Sequence, residues 1–266
     1  MMLLENRIAI VHGGSGSVGS AVARAFAREG ATVHLTGRTR ATLEDVAERI
    51  RAAGGVAHVD VVDVVDRDAV ERHAAAVAER HAGIDVCFNA TFNDDIQGTP
   101  LVDMAVGDVM QPVAKAVTST FNVATAAARH MVDRGRGAIL VMGGGREAIP
   151  DLGGSHVAWA AVAGLCRQLA AELGPHGVRV AWLLSPGSPN PGELGTGEAG
   201  TREPGTDGPG QDRPSQEEQD PEAGRLLLPR RPSYDQVANA AVFAASDWAA
   251  TMTATEINLT AGAVID

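Results

Sequence analysis

The chain has 266 residues, 45% of them hydrophobic and 21% charged, which allows one sizeable buried core and excludes overall disorder. Its net charge of −11 argues against nucleic acid or an anionic membrane as partner, because both require clustered Lys and Arg to neutralise phosphates. No run of about 18 apolar residues is present to cross a membrane, and the opening MMLLENRIAIV lacks the basic, apolar and small-residue regions of a signal peptide, so a cytoplasmic protein folded as one domain over residues 1–266 is expected.

In chain order, a short apolar strand is predicted over residues 8–11. A helix follows over 18–28, where Val18, Val22 and Phe26 recur every four residues. Strands over 32–36, 56–62, 84–88, 138–142, 178–184 and 255–259 then alternate with helices over 41–53, 68–81, 108–134, 155–173 and 234–245. Regular β-α-β alternation with short apolar strands predicts an α/β fold, a Rossmann-type doubly wound parallel sheet of about seven strands with helices on both faces. Ligands of such sheets bind at the carboxyl ends of the strands, which brings residues 12–19, 36–39, 63–64, 89–92, 142–146 and 185–187 around one crevice.

Residues 188–224 break the pattern, with nine acidic and two basic residues, six prolines, eight glycines and Leu194 as the one large apolar side chain. The segment cannot bury enough surface to offset its ordering entropy. It reads as a polar, disordered stretch, either a lid over the crevice or a solvated insertion. Cys87 and Cys166 both fall in apolar elements and read as buried thiols. The eight histidines are scattered along the chain without metal-ligand spacing, so no metal site is expected.

The first turn, His12-Gly13-Gly14-Ser15-Gly16-Ser17-Val18-Gly19, follows a strand and opens a helix. Glycines let the backbone turn tightly and approach a pyrophosphate, whose charge meets free N–H groups at the helix start. From about Arg7 to Val264, apart from the polar segment, the chain resembles the short-chain dehydrogenase/reductase family. The turn is similar to that family's T-G-x-x-x-G-x-G, with His12 for threonine and Ser17 for the middle glycine. The resemblance implies cofactor binding by Gly13, Ser15, Gly16, Ser17, Val18 and Gly19. Gly37-Arg38-Thr39 resembles members preferring NADP, since no acid ends the strand to hold a ribose hydroxyl and Arg38 can pair with a 2′-phosphate. Asp63-Val64 resembles the adenine-contacting Asp-Val pair, Asn89-Ala90 the start of the family's N-N-A-G, and Ser185-Pro186-Gly187 its Pro-Gly turn at the nicotinamide. Residues 231–249 look like its C-terminal helix and Ala-Ser-Asp tail. The implied cofactor is NADP(H).

Departures from the family pattern concentrate on the reactive half. In SHVAWAAVAGL, Ser155 stands where the family has its catalytic tyrosine and Trp159 where it has lysine. The single tyrosine and single lysine, Tyr234 and Lys115, form no Tyr-x-x-x-Lys pair. Ala116 falls at the position of the catalytic asparagine, and Met142-Gly143-Gly144-Gly145 takes the place of the catalytic serine. Phe92, Met142, Gly144 and Trp159 are expected around the substrate, with Trp159 either stacking on a ligand or filling the pocket. Ser155, His156 and Lys115 are candidates for proton transfer. His156 and His12 titrate near neutrality in their ordinary state, though a solvated or satisfied side chain is the plainer reading of each. Asp94, Asp95 and Glu147 lie on crevice loops, where carboxylates are usually solvated. General acid–base assistance is worth about 10²–10⁴ in rate, roughly 3–5 kcal/mol of barrier, so loss of the tetrad predicts severely weakened carbonyl reduction of the ordinary kind.

Three functional readings fit these residues. One is a divergent NADP(H)-binding catalyst acting on a small, largely apolar carbonyl compound by hydride transfer or a redox-neutral step. Another is a non-catalytic dinucleotide-binding or partner protein, and the third a competent reductase using a replacement donor. The helices over 108–134 and 155–173 are rich in Ala, Val and Gly, and the family resemblance implies a homodimer or homotetramer built through them.

Overall fold

The computed structural model of the chain describes residues 2–91, 94–146, 149–185, 226–229 and 231–265. In chain order the elements are β1 (Ile8–His12), α1 (Ser17–Arg28), β2 (Thr32–Gly37), α2 (Arg40–Ala52), β3 (Val56–Val61), α3 (Arg67–His81), β4 (Val86–Asn89), α4 (Val106–Val132), β5 (Gly137–Met142), α5 (Ser155–Leu173), β6 (Val178–Leu184), α6 (Tyr234–Ala245) and β7 (Thr255–Asn258). The strands form one parallel sheet in the order β3-β2-β1-β4-β5-β6-β7. The order reverses between β1 and β4, and the crevice expected for such a sheet opens there, at the strands' carboxyl ends.

Alternation along the strands divides the core in two. Ala9 and Val11 of β1 point into a layer shared with α1, α2 and α6, whereas Ile10 points into a layer shared with α3, α4 and α5. The α1 stripe is as its spacing predicts, with Val22 and Phe26 fully buried and Val18 packed at the edge of the same layer. Cys87 and Cys166 are both buried and free, and burial pushes each thiol up to about 12, so they are inert packing groups.

Two boundaries moved for identifiable reasons. β4 begins at Val86 rather than residue 84, because Asp85 turns its buried carboxylate onto the Ile8 N–H and the guanidinium groups of Arg7, Arg134 and Arg136. α4 begins at Val106, two residues earlier than expected, and carries Pro112 inside it. The ring lies at the α4–α5 contact, where Gly154 comes against Pro112 and the Val109 carbonyl. That close approach sets the start of α5 beside α4 and fixes Ser155 at the crevice end of the helix.

Candidate functional site

The phosphate turn is shaped by its glycines. Gly13 has φ +74°, and a Cβ there would stand 2.7 Å from the Ala90 carbonyl oxygen; one on Gly19 would stand 2.1 Å from the Gly13 carbonyl oxygen. Both positions therefore exclude any side chain, the first holding the turn against the β4 loop and the second holding α1 against the turn. The N–H groups of Gly13 and Gly14 donate to the Thr36 carbonyl, and that of Gly16 to the Gly13 carbonyl. No side chain caps α1, whose N-terminal residue Ser17 is half-exposed or more with Val18 beside it. A bare helix start behind a glycine turn is a cradle for a phosphate. The residues present thus fit the pyrophosphate of a dinucleotide. Gly14, Ser15 and Gly16 complete the curve.

Around this cradle, Arg38 and Thr39 are exposed at the carboxyl end of β2. Among the described residues no ion pair engages Arg38. Asp63 is exposed and its carboxylate accepts the Val65 N–H at 3.2 Å. Val64 is buried, and the Asn122 side chain of α4 donates to the Val64 and Val65 carbonyls at 3.0 and 3.3 Å. Asn122 was not singled out from sequence, since a lone polar residue on a helix carries no local signal. Asn89 is buried: its amide donates to Thr120 at 3.1 Å, and its oxygen accepts from the Thr91 N–H and hydroxyl. Ala90 donates its N–H to the His12 carbonyl at 2.9 Å. Asn89 and Ala90 thus anchor the β4 loop to the turn. Phe92, Glu147, Pro186, Gly187 and the polar segment 188–224 lie outside the described residues.

The reactive half is built from paired departures. The Trp159 indole lies against Gly144, where a Cβ would stand 1.9 Å from the ring. A residue larger than glycine at 144 and tryptophan at 159 are mutually exclusive in this arrangement. Met142 ends β5 on the same side of the crevice, and the His156 ring meets Trp159 edge-on at 6.5 Å. Ser155 is buried and donates its hydroxyl to the half-buried Asp95. Lys115 forms an ion pair with Asp94. Asp94 and Asp95, read from sequence as solvated loop carboxylates, instead tie the β4–α4 loop to Lys115 in the third turn of α4 and to the start of α5. His156 and Ser155 diverge as helix geometry requires.

The reading of the histidines as scattered needs correction. Five of the eight, His12, His34, His58, His73 and His81, form a contiguous cluster with Asp60 beneath α3. They come from three strands and one helix, so sequence distance concealed what register reveals: His34 and His58 are each the third residue of consecutive strands and pair directly. His73 and His81 share the inner face of α3, eight residues apart. His12 is fully buried, with Nδ1 2.8 Å from the Thr36 hydroxyl, and burial lowers its imidazole to about 3. Hydrogen bonds from His34 and His73 hold the Asp60 carboxyl well below the usual carboxylate range. Burial, followed by the neighbouring His34 and Arg80, lowers His58 and His81.

Outside the crevice, a cavity of about 470 Å³ opens at the amino ends of the strands. Its charges are spent on one another, Arg7 lying 2.7 Å from Asp247 and 3.6 Å from Asp85.

Residues 13–191 match the family model described as enoyl-(acyl carrier protein) reductase. The chain belongs to the short-chain dehydrogenase/reductase family. It is 33% identical to gluconate 5-dehydrogenase of Gluconobacter oxydans (strain 621H) over 187 residues, covering 69% of this chain and 72% of that one. It is also 33% identical to the A-factor type gamma-butyrolactone 1'-reductase (1S-forming) of Streptomyces virginiae over 192 residues, 70% and 73% of the two chains. Among solved structures, a short-chain type dehydrogenase/reductase from Mycobacterium ulcerans superposes with a TM-score of 0.84 at 24% identity, covering 98% of this chain and 90% of that one. A short-chain alcohol dehydrogenase, described as putative, from Sinorhizobium meliloti 1021 gives 0.82 at 26% identity, covering 98% and 97%. The family's proteins are oxidoreductases that use nicotinamide dinucleotides, and the seven-stranded sheet and glycine turn of this short-chain dehydrogenase/reductase are of that kind.

Proposed function

We propose that this protein binds NADP(H) and acts as an oxidoreductase on a small, largely apolar carbonyl compound or its alcohol, without a Tyr–Lys pair. The observation that carries the reading is the cradle: Gly13 and Gly19 are fixed by backbone contacts that admit no side chain, while the strand leading to Arg38 ends without an acid to hold a ribose hydroxyl. Arg38 pairs with the 2′-phosphate, Asp63 and Val64 flank the adenine, and the α1 N-terminus faces the pyrophosphate. When bound, the cofactor supplies or accepts a hydride. Ala90, Met142, Gly144 and Trp159 give the reactive end an apolar lining, which favours a substrate nearer to the lactone named for the Streptomyces relative than to the polyol acid named for the Gluconobacter one. In the alcohol-oxidising direction the Asp95 carboxylate, which accepts the Ser155 hydroxyl, takes up the alcohol proton through that hydroxyl, while Lys115 is engaged by Asp94.

One observation favours a second reading. The Trp159 indole stands at the position of the missing lysine and lies against Gly144, in the stretch that takes the place of the missing serine, as a protein that keeps the dinucleotide only as a bound ligand would allow. Calorimetric titration with NADPH, NADP⁺ and NADH, followed by a screen of small ketones and lactones for NADPH oxidation, separates the two. Saturable NADPH binding with turnover supports the oxidoreductase; binding without turnover on any of them leaves the ligand-holding protein, and absence of binding to millimolar concentration ends both.

We further propose a cytoplasmic homodimer or homotetramer. Met110 and Phe121 on α4 and Val157 on α5 are 49%, 40% and 46% exposed, an apolar stripe suited to a second copy. Among the described residues no helix is long and apolar enough to cross a membrane. A monomer by light scattering at micromolar concentration removes the assembly.

A further inference from the structure

The cluster under α3 has the anatomy of a metal site. One potential ligand atom each from His34, His58 and His81 lie within 4.8 Å of one another, and His34, Asp60 and His73 form a second such group sharing His34. His34 Nε2 and His81 Nε2 approach to 3.0 Å, the His34 and His58 rings stack at 4.7 Å, and those of His34 and His81 meet edge-on at 5.1 Å. Two Zn–N bonds of about 2.0–2.1 Å span that nitrogen separation at roughly a right angle, so both imidazoles reach one ion with small ring rotations.

The surroundings supply what a metal-bound imidazole needs. The other ring nitrogen of His34, Nδ1, faces the Asp60 carboxylate at 3.4 Å, the carboxylate–histidine arrangement that directs the opposite nitrogen at a cation. His73 Nε2 lies 3.2 Å from the same oxygen, and its buried Nδ1 has no partner. His34 is fully buried, whereas His58 and His81 are half-buried, so the site has a rigid floor and an open side for entry and for a water ligand. It lies at the β2–β3 edge, where β3 is the last strand and α3 ends.

We infer that His34, His58 and His81 bind one divalent first-row transition ion of the zinc class, with Asp60 as the positioning residue for His34, and that the ion clips the C-terminal end of α3 to the sheet edge. Imidazole ligands without thiolate select zinc, copper or nickel over magnesium and calcium. Metal binding at this edge requires no dinucleotide and is independent of the proposed oxidoreductase activity.

The test is titration of tag-free protein with Zn²⁺ alone in a non-chelating buffer, with NADPH binding measured on the same samples as a control of the crevice. One saturable equivalent per chain is expected at micromolar or tighter affinity. His58→Gln and His81→Gln, both at the open side, should each weaken it by about tenfold or more, and Asp60→Asn by about 10–100-fold. On the unaltered protein, Zn²⁺ should move the imidazole proton resonances of His58 and His81 and leave those of His130 and His176 in place, a readout that does not depend on any variant folding. Absence of saturable binding up to millimolar Zn²⁺, or binding that survives both substitutions and leaves the His58 and His81 resonances unmoved, overturns the inference and leaves the cluster a packed structural group.

Discussion

The two sides of the crevice are constrained in different ways. On the cofactor side the small residues are fixed by backbone: Gly13 meets the Ala90 carbonyl and Gly19 meets the Gly13 carbonyl, neither of which can move aside. On the reactive side the fixed contact is between side chain and missing side chain, with Trp159 occupying the room left by Gly144, and the remaining polar groups are tied off as Ser155–Asp95 and Lys115–Asp94. A site held by backbone is inherited with the fold, whereas one held by side-chain pairs can be rebuilt pair by pair. The largest expected effect follows from the first kind of constraint. Gly19→Ala must separate α1 from the turn, costing about 1–3 kcal/mol through overpacking and removing the N–H cradle, so NADPH binding by calorimetry should be lost along with part of the thermal stability. A Gly19→Ala protein that binds NADPH as the unaltered protein does would break the comparison at its stronger end.

The reactive side answers to a double-mutant cycle. Gly144→Ala alone drives a methyl group into the indole and should cost about 1–3 kcal/mol, measured by chemical denaturation. In a Trp159→Ala background the same change meets open space and should cost much less, giving a coupling within the range of about 0.5–3 kcal/mol seen for residues in contact. Additive effects would mean that the two departures are unrelated. A Ser155→Tyr, Trp159→Lys protein extends the argument to activity, since it restores the family's Tyr-x-x-x-Lys pair and should raise NADPH-dependent ketone reduction above that of the parent.

How much of this was legible in the sequence depended on whether the signal was local. Val18, Val22 and Phe26 repeat at helical spacing, and α1 and its buried stripe lie where that spacing places them; α5 and α6 match their predicted limits to the residue. The glycine turn was legible because its residues are consecutive. Asn122, Asp95 and the histidine cluster were not, because each acts between separate elements: Asn122 reaches Val64 at a separation of 58, Asp95 reaches Ser155 at 60, and His34 reaches His81 at 47. Parallel strand pairing was the one available clue for the histidines, since equal offsets from the predicted starts of β2 and β3 put His34 opposite His58.

His12 is the cofactor side's own departure from the family pattern, and it makes that side sensitive to acid. Burial lowers its imidazole from 6.5, the ordinary value of the unfolded chain, to about 3. Below pH 6.5 the unfolded chain takes up a proton that the folded one refuses, so the contribution of neutral His12 is fully present above 6.5 and declines as pH falls toward 3. The slope attributable to this one group approaches about 1.4 kcal/mol per pH unit at most. His12→Thr puts the family's residue back beside Thr36 and removes the titration. Denaturation free energies measured between pH 7 and pH 4 should therefore fall less steeply for the variant than for the parent, and parallel curves would show that the ring accepts its proton in the folded state.

The smallest expected effect tests the cofactor side at its exposed rim, where neither backbone nor packing fixes the residue. Arg38 stands at the end of β2 without an ion pair among the described residues, and its neighbour Arg40 is drawn off toward Glu44 at 3.6 Å. A charged hydrogen bond to a 2′-phosphate contributes about 1.5–3 kcal/mol, and solvent at this exposed position holds it to the low end, near tenfold in affinity. Arg38→Ala should weaken NADPH binding by about that factor and leave NADH binding unchanged, because NADH has no phosphate for the guanidinium to meet. Equal weakening of both would assign Arg38 to the adenine or to the loop itself. No weakening of either would transfer the recognition to Arg40, whose release from Glu44 could be read directly by titrating Arg40→Ala in the same way.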